Sequence, residues 1–258
     1  MLGRMTRSPA AHEYLLAFAD DEHLIGARHT NWIGLGPFLE EDLAFCSIAQ
    51  DELGHAIGLY GLLLDDPAEL DSFAMAREPA DYRSCWLAEI ECPDWSDSLV
   101  RHWLYDRAEA LRWDVLAACP DERVSALAAR AQREESFHRA HAEQLMSRIA
   151  ATDTTGRIVA SVTRLVPLAA GLWDPTVSEP SAISEGFVRV SSRELADVWK
   201  NLIRSDLDRW GLDIAWPSPT TWADQQSAQG NRTRRSETFG QFQSDLLRVV
   251  VLDPTAVW

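Results

Sequence analysis

Glu-x-x-His occurs twice in this sequence, as Glu52-x-x-His55 and Glu135-x-x-His138, and each copy falls on the apolar stripe of a long helical segment. Residues three apart on an α-helix lie about 300° round its axis and about 4.5 Å along it, so this spacing aims a carboxylate and an imidazole at one point beside the helix. Of the seven histidines, only His55 and His138 have a glutamate three positions before them. A chain that buries both pairs must bring the two helices together around something that balances their charge.

The surrounding periodicity predicts four long helices. The first runs from Ser8 to about Gly34, opening on Ser8-Pro9, with Leu15, Phe18, Glu22, Ile25, His29 and Trp32 in steps of three and four. The second, about Phe38 to Leu64, carries Phe45, Ile48, Glu52, His55, Leu59 and Leu62 inward and is stopped by Asp65-Asp66-Pro67. The third, about Asp97 to Ala118, aligns Leu99, His102, Asp106, Glu109, Trp113 and Leu116; the fourth, about Glu122 to Ala150, aligns Val124, Leu127, Ala131, Glu135, His138, Ala142, Leu145 and Ile149. Residues 65–96 read as a crossover with a short helix near Ala68–Ala76. Weaker helical signals follow over Ile158–Trp173, Ser191–Trp210 and Ser236–Leu252, with residues 174–190 and 211–235 expected as loops.

One inward glutamate on each of two helices and Glu-x-x-His on each of the other two is the ligand arrangement of bundles that hold two metal ions. The expected fold is therefore all-α: a ferritin-like four-helix bundle over about 9–150 with additional C-terminal helices over about 156–258, forming one domain. The expected metal ligands are Glu22, Glu52, His55, Glu109, Glu135 and His138. Asp106 competes with Glu109 and Glu134 with Glu135, whereas Asp20 and Asp21 are off-stripe and expected in solvent. His29, His102 and His141 lie near the seam as hydrogen-bonded core residues or supports for the ligands. Hard oxygen donors with two nitrogens and no thiolate suit two iron ions, or manganese, better than zinc or copper. The competing reading is a buried polar seam whose members satisfy one another; it requires several converging carboxylates to be protonated or solvated, because together they repel.

A formal net charge of -16 argues against nucleic acid and anionic membrane as partners, and no apolar run approaches a membrane span. Arg232, Arg234 and Arg235 form the one basic cluster, expected as a solvated loop unless a phosphorylated ligand or acidic partner meets it. Behind Arg4 and Arg7, acidic residues interrupt any signal-like apolar run, so a cytoplasmic location is expected. Cys46, Cys85, Cys92 and Cys119 show no CxxC spacing and are expected reduced and mostly buried. Eleven tryptophans exceed what a core of this size needs, which suggests oligomerisation through an aromatic interface.

Three stretches resemble the phenylacetic acid catabolic protein family, the ferritin-like subunits of the multicomponent ring-1,2-phenylacetyl-CoA epoxidase. They are Leu39-Glu40-Glu41-Asp42-Leu43-Ala44 through Asp51-Glu52-Leu53-Gly54-His55-Ala56; Ser184-Glu185-Gly186-Phe187 followed by Leu195-Ala196-Asp197-Val198-Trp199; and Arg235-Ser236-Glu237-Thr238-Phe239 to Pro254-Thr255-Ala256-Val257-Trp258. The last resembles the smaller, C-type subunit. The resemblance implies a monooxygenase acting on an aromatic acyl-CoA thioester, with a separate reductase and a homologous ferritin-like subunit as partners. In the family the A-type subunit is the di-iron oxygenase and the C-type is regarded as structural, yet this chain keeps all six expected ligands. A C-type relative that still binds metal is the reading adopted, with turnover or support of a catalytic partner both open. A metal-storage or peroxide-handling bundle is the third alternative.

Overall fold

The computed structural model describes residues 8–253. The N-terminal residues read for targeting, and the final Pro254–Trp258 of the C-terminal resemblance, lie outside the described residues. In chain order the helices are α1 (Pro9–Thr30), α2 (Leu39–Leu63), α3 (Leu70–Met75), α4 (Trp86–Glu89), α5 (Trp95–Ala117), α6 (Glu122–Ala150), α7 (Arg157–Leu168), α8 (Glu179–Ser184), α9 (Ser192–Trp210), α10 (Pro219–Gln229) and α11 (Phe239–Leu252). No strand occurs among the described residues, so the expected all-α, ferritin-like architecture is what forms.

The short connection between α1 and α2, and that between α5 and α6, make each pair an antiparallel hairpin. The crossover over residues 64–94 runs back along the bundle, and Phe45 near the start of α2 meets Trp95 at the start of α5, with ring centroids 4.7 Å apart. The helix starts are locally encoded. Ser8 accepts from the Ala11 amide with Pro9 at the first helical position, Asp94 accepts from the Asp97 amide, and Asp121 from the Arg123 amide. At the α1–α2 contact Gly26 makes room: a Cβ there would stand 2.9 Å from the Cβ of Glu52. The missing side chain lets the two backbones approach and sets Glu52 beside α1.

Several sequence expectations are corrected. The first helix ends at Thr30 rather than Gly34, because the chain turns over residues 31–37 with Gly34 at φ +83°. Residues 174–190 contain α8, and 211–235 contain α10, which Ser218 caps and Gly230 ends in the left-handed region. α10 escaped the periodicity because Trp222 is its main apolar anchor. The capping box predicted at Ser191 and Glu194 is present at the start of α9.

The larger correction concerns α1, where every residue from Ala17 to His29 is buried. Asp20 and Asp21, expected in solvent, are fully enclosed. Asp20 binds Arg77 and accepts from the Tyr60 hydroxyl at 2.7 Å, while Asp21 lies 2.7 Å from both Arg112 and Arg232. Arg232 is therefore not a loop residue in solvent; it is 3% exposed, and Arg235 similarly pairs with buried Glu89. The crossover and the segment before α11 cover the outer face of α1, so its polar residues need partners from distant chain segments.

The tryptophans are also spent internally. Trp103, Trp113 and Trp199 are fully buried, and Trp173, Trp199, Trp222 and Trp216 form a continuous aromatic layer under the C-terminal helices. Exposed apolar surface gathers instead at the α1–α2 corner, in Ile33, Leu35, Phe38, Leu39 and Leu43, and at the end of α11, in Val249, Val250, Val251 and Leu252. None of the four cysteines forms a disulfide; Cys46 is exposed and the other three are buried. Among the described residues no helix is long and apolar enough to cross a membrane.

Candidate metal centre

The four bundle helices bring Glu22 from α1, Glu52 and His55 from α2, Glu109 from α5, and Glu135 and His138 from α6 into one interior locus, each no more than 3% exposed. Two overlapping groups have donor atoms within 4.8 Å of one another: Glu22, Glu52, His55 and Glu109, and Glu52, Glu135 and His138. Glu52 belongs to both. If each group held a cation, Glu52 would be the residue able to serve both.

His55 aims Nδ1 inward, 3.3 Å from Glu22, 3.5 Å from Glu109 and 3.5 Å from Glu135. His138 presents Nδ1 3.1 Å from Oε1 of Glu135. Two donors steady the outer carboxylates: the Tyr105 hydroxyl donates to Glu22 at 2.7 Å, and the Trp113 indole N–H donates to Glu109 at 2.9 Å. Both oxygens of Glu52, both of Glu135, Oε2 of Glu109 and Nδ1 of His138 have no hydrogen-bond partner. Unpaired buried acceptors cost roughly 1–3 kcal/mol each, more when charged, so their concentration here fits a site built for positive charge. The donor set, four carboxylates and two imidazoles, matches hard divalent ions such as iron or manganese.

Electrostatics describe the same strain. Burial, then repulsion from Glu109, raises the Glu22 carboxyl to about 8. Burial and neighbouring carboxylates hold Glu52 and Glu135 well above the usual range. For Glu109 burial works upward, but hydrogen bonds with His55 and Glu22 outweigh it and bring the group to about 2. Burial opposes a charged His55, yet its bonds to Glu109 and Glu22 lift it to about 12. Without cations the cluster holds protons in their place.

The outward nitrogens reveal two residues that the sequence reading did not assign this role. Nε2 of His55 on α2 lies 2.9 Å from Glu134 on α6, and Nε2 of His138 on α6 lies 3.2 Å from Asp51 on α2. Each acidic residue immediately precedes the glutamate of its own Glu-x-x-His and crosses to the other helix's histidine. Such partners fix the tautomer that presents Nδ1 to a metal. The signal was legible as acid-Glu-x-x-His on both helices, but the crossing required the tertiary structure. Glu134 itself is partly exposed and outside the cluster.

Asp106, the competitor of Glu109, is also enclosed, with neither oxygen hydrogen-bonded. It lies outside both donor groups but 3.0 Å from Nδ1 of His102. His102 continues to His141 at 3.4 Å, and His141 to Glu41 at 2.9 Å. His29 packs against His102 and Phe45. His102 and His141 are hydrogen-bonded as expected, whereas both ring nitrogens of His29 lack a hydrogen-bond partner and it is held by ring packing alone.

The model of the phenylacetic acid catabolic protein family matches residues 4–258. The chain belongs to that family. A family relative, the C-type subunit of the 1,2-phenylacetyl-CoA epoxidase of Escherichia coli (strain K12), is 24% identical over 205 residues, which span 78% of this chain and 82% of the relative.

Proposed function

We propose that the chain is a subunit of a 1,2-phenylacetyl-CoA epoxidase-type monooxygenase serving aerobic phenylacetate catabolism, and that Glu22, Glu52, His55, Glu109, Glu135 and His138 hold two iron ions, or manganese. The observation that carries the metal reading is the convergence of these buried donors with most of their carboxylate oxygens unsatisfied. When bound, such an iron pair supplies the reduction of dioxygen and transfer of one oxygen atom to an aromatic ring. The chain's own residues orient and enclose: Tyr105 and Trp113 hold Glu22 and Glu109, Asp51 and Glu134 aim the two histidines, and Trp113 with Phe18 shields the locus from water.

Family membership and the named relative support the pathway assignment. That the relative is one of several subunits supports partners, a homologous ferritin-like subunit and an electron-supplying reductase, working with this chain in the cytoplasm. The apolar corner at Leu35, Phe38, Leu39 and Leu43 is a surface suited to burial against such a partner. The one-domain reading is retained as part of the proposal.

Glu52→Gln is the direct test, since Glu52 belongs to both donor groups. Purified wild type loaded with ferrous iron should retain about two ions per chain, and the variant far less, with loss of ring oxygenation in the reconstituted complex. Wild-type iron content in the variant refutes the site. A supporting, non-catalytic role is the second reading, favoured by the likeness to a C-type relative. It predicts that Glu52→Gln leaves oxygenation by the assembled complex intact.

A further inference from the structure

On the face of the C-terminal helices lies a groove of about 550 Å³ between α9 and α10, lined by Arg193, Lys200 and Arg204 together with Trp216 and Trp222. Its volume falls within the range of small-ligand sites. The charge is anomalous for this protein. Three cations and one acidic residue, Asp197, line the groove of a chain whose net charge is -16.

The groove's cations also differ from the arginines that are enclosed or largely enclosed. Arg28, Arg77, Arg107, Arg112, Arg232 and Arg235 are all engaged by carboxylates or backbone carbonyls. Arg193 and Arg204 have no ion pair among the described residues, and Lys200 has only the exposed Asp197 at 3.9 Å. The cations are instead held against indoles. The Arg204 guanidinium lies 4.5 Å from the Trp216 ring centroid, and the Lys200 ammonium 4.9 Å from that of Trp222. Trp216 and Trp222 meet at 5.8 Å. Trp222 is fixed from behind by Trp199, whose indole N–H donates to the Leu104 carbonyl on α5. The indoles thus have a rigid backing while Arg193 and Arg204 stay exposed. None of the residues lining the groove belongs to the carboxylate cluster, so it is a separate site.

Aromatic surface carrying cations that no buried carboxylate neutralises is the chemistry that recognises a nucleobase linked to phosphates. We propose that this groove binds a nucleoside diphosphate group, with the phosphates on Arg193, Lys200 and Arg204 and the base against Trp216. The group occurs both in free adenine nucleotides and in the adenosine end of coenzyme A.

The full-length protein is titrated with ADP, with coenzyme A and with inorganic pyrophosphate, by calorimetry and tryptophan fluorescence. Saturable ADP binding that quenches fluorescence, and that weakens roughly ten-fold or more in Arg204→Ala and Lys200→Ala, supports the proposal. Coenzyme A binding much more tightly than ADP identifies the thioester carrier as the source; equal affinities identify free nucleotide. Absence of binding at millimolar ADP, affinity unchanged in both variants, or pyrophosphate binding as tightly as ADP overturns it. Trp216→Ala serves as a third variant. Arg204 is exposed, so its truncation should leave the melting temperature unchanged and a negative result interpretable.

Discussion

Nε2 of His55 lies 2.9 Å from the carboxylate of Glu134, so a residue on α6 determines which way an imidazole on α2 presents its other nitrogen. The reciprocal contact from Asp51 to His138 ties the two Glu-x-x-His helices together at the centre. Replacing Glu134 with Gln should keep the fold and lower metal affinity roughly 10- to 100-fold. Competition with a chromophoric chelator measures this. Asp51→Asn should behave alike, and unchanged affinity in both would remove the orienting role.

Gly26 predicts a link between packing and chemistry. In Gly26→Ala the new methyl meets Glu52 and Leu53 within 3.1 Å, so α1 and α2 must shift apart. Overpacking of this kind costs about 1–3 kcal/mol, and it should displace Glu52 from Glu22. Urea unfolding reads the first effect and iron stoichiometry the second; a variant normal in both would show that the contact is slack.

Arg232→Met should destabilise the protein by about 3 kcal/mol or more, because it leaves the enclosed Asp21 with Arg112 as its remaining cation. Burial raises the Asp21 carboxyl, but Arg232 and Arg112 together bring it below its usual value. Equilibrium unfolding of the metal-free protein checks the figure, and a loss below about 1 kcal/mol would contradict this assignment.

The metal-free protein should lose thermal stability from about pH 6.5 to about pH 8. Burial and neighbouring acids raise Glu22 to about 8, with Glu52 and Glu135 well above the usual range, while His55 is lifted to about 12 by Glu109 and Glu22 against the effect of burial. In this interval the folded state holds protons that the unfolded chain has released, so stability falls as pH rises. His23 and His102, depressed by burial to about 4 and about 3, act in the opposite sense, but their contribution is lost only as pH falls below the ordinary histidine value of 6.5. Bound divalent cations displace the cluster's protons and should reverse the slope. Calorimetric scans with and without ferrous or manganous ion test this, and a metal-free melting temperature that climbs across the same interval would refute it.

The four bundle helices and the six converging side chains were legible in the sequence because both arise from local regularities. The three-four rhythm marks the inward stripe, and Glu-x-x-His places two donors on that same stripe. Ser8, Pro9, Ser191 and Glu194 marked helix starts through their own side chains. Periodicity, however, describes one helix against one core. It assigned Asp20, Asp21 and Arg232 to solvent because it has no means of showing that the crossover and the segment before α11 wrap α1 from outside. Those ion pairs join residues far apart in the chain, as do the crossings of His55 to Glu134 and His138 to Asp51. Which helix is sheathed, and which acid meets which histidine, are properties of how helices pack, and side-chain spacing along a single helix carries no information about them.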